Sequence, residues 1–172
     1  TEIVVGTGDG TNVDISGAYS ADVGGVRLTE RGLHHDPPTA AEITDAENVA
    51  RVILDDAFAK VDSSVAKTWV GVAGTVTTLS GIAQNLSSYD PAAIHLSDLS
   101  LEKVAETNAR ILGMTHEQRS ALGPMHPGRV DVIGGGAVVV KVLADEFRQR
   151  TSVTSLTVSE HDILDGIALS IS

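Results

Sequence analysis

The chain has 172 residues, of which 42 % are hydrophobic, so it can bury the core of one domain. Its 12 basic and 23 acidic residues give a net charge of −11, which argues against DNA or RNA as a partner. With no cysteine, disulfides, thiolate metal sites and a cysteine nucleophile are excluded. No apolar run approaches the roughly 20 residues that cross a membrane, and we expect a cytoplasmic protein.

The first half of the sequence alternates short apolar runs with turn signals. Three extended segments are predicted at residues 1–6, 13–19 and 23–29, with a turn at residues 8–11. After Pro37-Pro38, residues 44–61 carry apolar side chains at a helical period, and Thr44 followed by Glu47 predicts the start of that helix. A strand at residues 69–73 and a helix at residues 76–86 follow, so the predicted order is β-β-β-α-β-α.

The second half is mainly helical. Residues 100–112 and 115–122 predict two helices, and residues 129–147 predict a largely buried third one. Gly134-Gly135-Gly136 would cost a helix interior roughly 2–3 kcal/mol relative to alanine, so it indicates close backbone packing, a break, or a second phosphate-binding turn. A strand at residues 152–158 and a helix at residues 163–169 complete the chain.

The junction after the predicted strand at residues 69–73 has the composition of an anion-binding turn. Gly74 has no side chain to keep a ligand from the backbone, and Thr75 adds a hydroxyl. The first N–H groups of the following helix would point at that ligand, and the helix dipole favours an anion there. An ordinary strand-to-helix turn with a threonine N-cap is the alternative interpretation.

Five ordered segments resemble motifs of the exopolyphosphatase/guanosine pentaphosphate phosphatase (Ppx/GppA) family, most closely its short, two-domain actinobacterial members. The chain opens with TEIVVG, similar to the end of the family's GGGSTEhhhG motif, and VRLTER resembles its hRLTER segment. The turn GVAGTVTTL is similar to GTAGTxTTL, and PGRVDVI to xxRADxI. The closing SEHDILDG resembles the family's hREG segment, with Leu164-Asp165 where arginine and glutamate are usual. The motifs are weak singly and specific together.

The resemblance implies the fold and the site. It implies an α/β domain of the ribonuclease H-like, actin-like ATPase type, a mixed sheet flanked by helices with a helical insertion at about residues 98–150. Residues 1–172 would be the second of two such domains, with the first domain and the first central strand preceding residue 1. Thr1, Gly74 and Thr75 would bind phosphate, and Glu2 would help to hold Mg²⁺. No catalytic residue is expected in this chain, because the family's general base belongs to the other domain.

The function that the resemblance implies is release of terminal phosphate from inorganic polyphosphate or guanosine pentaphosphate. The sequence does not choose between these substrates, and it leaves the oligomeric state open, with a homodimer as one alternative. Two other classes remain: a non-catalytic phosphate- or nucleotide-binding or dimerisation module, and a sugar-kinase-like domain with ATP on the Gly74 turn. Against the kinase-like alternative, the sequence shows no longer adenosine-binding loop of the kind that such kinases usually need. Arg27 is interpreted as a structural ion-pair partner.

Overall fold

The chain begins with an antiparallel hairpin in the computed structural model, which describes residues 1–9 and 12–171. Strand β1 (Glu2–Gly8) pairs with β2 (Val13–Ser20), with an irregularity between Val5 and Gly6. Ile3 and Val5 alternate with exposed residues and face the core, as the period of a strand requires. Both strands were predicted; residues 10 and 11 of the predicted turn lie outside the described residues.

The third predicted strand, residues 23–29, is wrong. Gly25–Gly32 form an α-helix, α1, and Leu28 is its buried residue. The β-branched Val23 and Val26 favour an extended chain locally. Packing overrides that preference, because Gly25 lies against Gly136 of another helix, and a β-carbon on Gly25 would be 3.0 Å from the Gly136 nitrogen. Arg27 forms an ion pair with Asp22, the kind of contact that the sequence predicted for it.

The long second helix, α2 (Ala40–Lys60), starts four residues before the predicted position. Its N-cap is Thr39, whose hydroxyl accepts from the Glu42 N–H at 3.2 Å while the Glu42 carboxylate accepts from the Thr39 N–H at 2.8 Å. The Thr-x-x-Glu pattern of a capping box occurs at both Thr39 and Thr44, and the copy at Thr39 is the one that caps α2. Thr44 lies inside the helix and donates to the Ala40 carbonyl.

The other strands form a second sheet in the order β3-β5-β4. Strand β3 (Trp69–Gly71) is parallel to β5 (Ser155–Val158), and β4 (Asp98–Ser100) is antiparallel to β5. The mixed α/β class with helices flanking the strands is confirmed. The expected single sheet is not, because within the described residues β1 and β3 each pair on one side only and belong to different sheets. A cavity separates their free edges.

Strand β4 was not predicted; it ends at Ser100, directly before the helix that begins at Leu101. The remaining helices, all on the described part of the chain, are α3 (Ala73–Ala83), α4 (Pro91–Ile94), α5 (Leu101–Leu112), α6 (His116–Ser120), α7 (Ile133–Arg150) and α8 (Ile163–Ser170). A 3-10 turn, Pro127–Arg129, precedes α7, which begins at Ile133 and not at the predicted residue 129.

Helix α7 is at the centre of the core. It packs against α1, α2, α3 and α5, and Ala137, Val138 and Val142 are fully buried. Helix α8, in contrast, exposes its apolar side chains, including Ile163 and Leu164. None of the helices on the described residues combines the length and the apolar character needed to span a membrane.

Candidate functional site

One cavity brings together the four residues that the sequence predicts for phosphate and metal binding. Thr1, Glu2, Gly74 and Thr75 all line a space of about 380 Å³ between β1 and β3. More than 70 positions of sequence separate the two pairs, so the fold and not local sequence makes them neighbours. The wall also includes apolar side chains of α7, among them Val139 and Leu143.

The N-terminus of α3 opens into this cavity. Strand β3 ends at Gly71 and α3 begins at Ala73, with Val72 as an N-cap that supplies no side-chain hydrogen bond. The first N–H groups of the helix therefore keep their hydrogen-bonding capacity and carry the positive end of the helix dipole. Ala73 has a φ of 70°, a left-handed conformation that is costly for a residue with a side chain.

A second helix N-terminus faces the same cavity. Gly24, the N-cap of α1, makes no side-chain cap, and both Gly24 and Gly25 line the wall. Side-chain caps close the N-termini of five other helices, α2, α4, α5, α6 and α8. The cavity thus receives free backbone donors from α1 as well as α3. The sequence analysis missed α1 because it predicted a strand there. The Gly24-Gly25 pair was the feature from which this helix start could have been predicted.

The glycine triplet of α7 holds these two N-termini close together. A β-carbon on Gly136 would be 2.7 Å from Thr75 Cγ2, and one on Gly135 would overlap the Gly25 carbonyl. Because α7 begins at Ile133, the glycines occupy its first turn and not its interior. Of the three alternatives for the triplet, close backbone packing is the one that the structure supports.

Thr1 and Glu2 differ in the hydrogen-bonding capacity that their side chains leave available to a ligand. The Thr1 hydroxyl donates to the Val23 carbonyl at 2.7 Å, which ties the start of β1 to the turn before α1. Its single hydrogen is therefore in use, and only its oxygen lone pairs remain. The Glu2 side chain is 72 % exposed and accepts from the Ser20 hydroxyl at 3.2 Å, so further oxygen lone pairs are available.

A magnesium ion fits this donor set only with help from a substrate. Glu2 supplies the carboxylate among the described residues that line the cavity. Those residues contain no group of three or more acidic or histidine side chains that could hold a metal. Mg²⁺ commonly binds through one or two carboxylates plus substrate phosphate oxygens, and Glu2 suits that mode.

Arg129 is the residue that the sequence analysis quoted but gave no role. Its guanidinium lies against Gly74, where a β-carbon would overlap it, and Nη1 donates to the buried Thr78 hydroxyl at 3.0 Å. On its other side Arg129 lines a second cavity of about 390 Å³, together with Tyr89, Pro124, Met125, His126 and Pro127. Burial raises the pKa of the Tyr89 phenol, which donates to Glu160 at 2.7 Å.

Comparison with protein families and curated proteins gives a consistent assignment. The model of the Ppx/GppA phosphatase family matches residues 1–171. Exopolyphosphatase 2 of Mycobacterium tuberculosis is 55 % identical over 171 residues, which are 99 % of this chain and 52 % of that protein. The chain therefore spans about half the length of this curated relative.

Solved structures give the same result for the fold. An exopolyphosphatase-like protein superposes with a TM-score of 0.90 at 38 % identity, over 99 % of this chain and 55 % of the other. A Ppx/GppA family member from Aquifex aeolicus superposes with a TM-score of 0.83 at 26 % identity, over 99 % of this chain and 52 % of the other. These likenesses confirm the actin-like, ribonuclease H-like fold that the sequence predicts.

Proposed function

Because this chain belongs to the Ppx/GppA phosphatase family, we propose that the protein containing it is a phosphoanhydride hydrolase that releases terminal phosphate from inorganic polyphosphate. The observation that carries the proposal is the shared cavity of Thr1, Glu2, Gly74 and Thr75, into which two helices without side-chain caps direct their N-termini. In a chain with a net charge of −11, this concentration of local donors is what a polyanion requires.

In the proposed mechanism this chain binds the phosphate and stabilises charge. Backbone N–H groups at Gly74 and Thr75 donate to the terminal phosphate oxygens, and those at the start of α1 donate from the opposite wall. Since these dipoles are fixed before the reaction, they stabilise the charge that develops in the transition state without reorganising. Glu2 would hold Mg²⁺, which supplies neutralisation of the phosphate oxygens when bound. Thr1 positions the turn at Gly24.

The water that attacks the phosphorus needs a general base, and we place that base in a domain that precedes this chain. The proposal rests on the family resemblance and on the half-length match to the curated relative. The free edges of β1 and β3 face the same cavity. A strand leading into Thr1 would pair with both edges and join the two sheets into one. We place the protein in the cytoplasm, and the homodimer remains a proposal.

Guanosine pentaphosphate is the second candidate substrate. The observation that favours it is the cavity beside Arg129, whose lining of Tyr89, Met125 and Pro127 offers apolar and aromatic surface for a nucleobase. Gly74 and Arg129 separate this cavity from the one at Glu2, so a nucleoside and its phosphates would lie on opposite sides of the α3 N-terminus. A purely phosphate-binding module or a kinase-like domain would use the same donors without hydrolysis.

The test is phosphate release by the full-length protein with Mg²⁺ from polyphosphate and, separately, from guanosine pentaphosphate. We expect turnover of polyphosphate by the wild type and its loss in a folded Gly74→Val variant. Gly32→Val is the matched control, because a β-carbon on Gly32 meets nothing within 4 Å. Absence of phosphate release from either substrate by the wild type would refute the proposal, and a higher kcat/KM with guanosine pentaphosphate would favour the second substrate.

A further inference from the structure

The cavity at the α3 N-terminus adjoins a second cavity of the same size. Both have a volume of about 380 Å³, and their walls share four residues: Thr1, Glu2, Gly24 and Gly25. The wall of the second cavity also includes Asp22 and Arg27. The two spaces therefore meet along the start of β1 and the start of α1. A molecule bound at Gly74 can extend past Glu2 into the second cavity.

Arg27 supplies the basic side chain of this continuous space. Among the described residues that line either cavity, no other is a lysine or an arginine. The first cavity offers backbone donors and the Glu2 carboxylate, so it contains no cationic side chain from the described residues. Every phosphoryl group of the proposed substrate carries negative charge, and the protein itself has a net charge of −11. Arg27 is therefore the group that can neutralise charge beyond the terminal phosphate.

The stability of α1 does not explain an arginine at position 27. Helix α1 begins at Gly25, so Arg27 lies in its first turn, where the helix dipole repels a cation. Arg31 lies in the last turn of the same helix, where the dipole favours a cation. An anion beside the first turn would be attracted by the dipole and by the Arg27 guanidinium together.

The ion pair between Arg27 and Asp22 leaves the arginine accessible. No other carboxylate of the described residues forms an ion pair with Arg27, and the two side chains are 50 % and 78 % exposed. Exposed pairs of this kind contribute little to stability. The contact engages Nη1, whereas a guanidinium has five N–H donors in a plane that matches two oxygens of a phosphate. A phosphoryl group can therefore replace the Asp22 carboxylate at little cost in stability.

We propose that Arg27 binds a phosphoryl group next to the terminal one, so that the second cavity is a subsite for the polyphosphate chain and Asp22 competes with the substrate there. The inference deepens the proposed function and rests on it for the substrate class. The terminal phosphate stays with the backbone donors at Gly74 and Thr75, and the following groups lie past Glu2. Affinity then depends on the number of phosphoryl groups through Arg27, which takes no part in proton transfer.

The inference is tested by the binding of two ligands to the full-length protein, with EDTA present so that no turnover occurs. Calorimetry gives the Kd for tripolyphosphate, and competition against it gives the Kd for orthophosphate. We expect Arg27→Gln to weaken tripolyphosphate about tenfold, the loss of one charge-assisted contact. Orthophosphate should bind as to the wild type, because it reaches only the terminal site.

The acidic partner provides the sharper comparison. Asp22→Asn breaks the same ion pair as Arg27→Gln, but it should tighten tripolyphosphate binding about threefold, because it removes a competing negative charge. Arg27→Lys keeps the charge without the planar fork and should bind between Arg27→Gln and the wild type. Arg31→Gln is the matched control: this exposed arginine lies on the same helix and lines neither cavity, so its loss should leave both Kd values unchanged.

Thermal unfolding identifies any variant that does not fold, and Arg27→Lys and Asp22→Asn then carry the comparison. Equal losses for the two ligands in Arg27→Gln would indicate a general disturbance of α1 and would overturn the inference. It would also be overturned by unchanged tripolyphosphate affinity in folded Arg27→Gln, or by weaker binding in Asp22→Asn, which would show that the ion pair itself supports the site.

These outcomes are distinguishable from failure of the proposed function. A loss confined to tripolyphosphate, in a protein that releases no phosphate when Mg²⁺ is added, would support Arg27 as a polyanion-binding residue while refuting the hydrolase. Phosphate release by the wild type together with equal losses for the two ligands would refute the subsite and leave the hydrolase standing. Absence of tripolyphosphate binding by the wild type would overturn the inference.

Discussion

Ala73 carries the backbone strain of the turn between β3 and α3. An L-residue in the left-handed region costs roughly 1–2 kcal/mol, and strain of this kind is common where a backbone is shaped for a ligand. With a φ of 70°, Ala73 directs the chain from the strand into the helix so that the next N–H groups face the cavity. The first residue of α3 thus matters to the site through its conformation and not through its side chain.

We predict that Ala73→Gly leaves the protein as stable or raises its free energy of unfolding by up to about 1 kcal/mol, because relief of strain exceeds the added entropy of the unfolded chain. Ala105→Gly, in the exposed middle of α5, is the matched control and should lower stability by about 1 kcal/mol. Urea unfolding of both variants measures the difference. Equal destabilisation by the two glycines would show that the turn is not strained.

At the residue scale, the sequence predicted that Gly74 and Thr75 bind phosphate, because a strand, a glycine and a helix follow one another locally. Both residues line the cavity at the start of α3, and phosphate binding there stays a prediction. It assigned no role to Arg129, because the contact between positions 74 and 129 depends on how α7 and its preceding turn pack on α3. A single arginine in a turn has many roles, and its neighbours in space are set by tertiary structure.

Among the secondary-structure elements, α2 shows that the same Thr-x-x-Glu pattern can predict a helix start at two neighbouring positions. We predict that Thr39→Ala lowers the free energy of unfolding by about 1 kcal/mol through loss of the N-cap. Thr44→Ala, the control with the same chemistry, should have little effect because its hydroxyl bonds only to the Ala40 carbonyl inside the helix. Chemical denaturation measures the free energy of unfolding of both variants. A larger decrease for Thr44→Ala than for Thr39→Ala would show that the helix starts at Thr44, as the sequence predicted.

The same cap predicts a dependence of stability on pH. The hydrogen bond from His35 lowers the pKa of the Glu42 carboxyl strongly, and the Thr39 and His34 N–H groups lower it further. A depressed pKa in the folded state stabilises the protein at pH above the unfolded pKa of about 4.3, and this contribution disappears as the pH falls towards the folded value.

We therefore expect Glu42→Gln to melt below the wild type at pH 7, with the difference in Tm shrinking progressively below about pH 4. Melting curves at pH 7, 5 and 3 provide the measurement. Glu106→Gln, which removes an exposed glutamate paired with Lys103, is the control and should show a small difference at every pH. A Tm difference for Glu42→Gln that stays constant down to pH 3 would contradict the assignment.

At the scale of the whole molecule, the sequence motifs predicted the fold class but not the division of the strands into two sheets. Strands β1 and β3 were each recognisable from their apolar residues, but pairing is a property of two edges and is invisible in either segment alone. The short β4 was missed because three residues carry too little periodicity to be distinguished from a loop.

The last prediction concerns the 172-residue chain alone, which should release no phosphate from polyphosphate even with Mg²⁺. Proton abstraction needs a base within hydrogen-bond reach of the attacking water, and Glu2 is the carboxylate among the described residues that line the cavity. A metal beside Glu2 would lower its pKa and weaken it as a base. The half-cleft that we propose for this chain would also leave the phosphate in water, where each electrostatic interaction is weaker.

Weak anion binding should survive in the isolated chain, because the backbone donors of α1 and α3 belong to it. The decisive measurement is phosphate release by the purified chain, with its Gly74→Val variant as the control for contaminating phosphatases. Hydrolysis at enzymatic rates that the variant abolishes would mean that the chain contains its own base. The base would then be sought among Glu2, Asp9, Glu30 and Asp165 by replacing each with its amide, and the division of labour between two domains would be wrong.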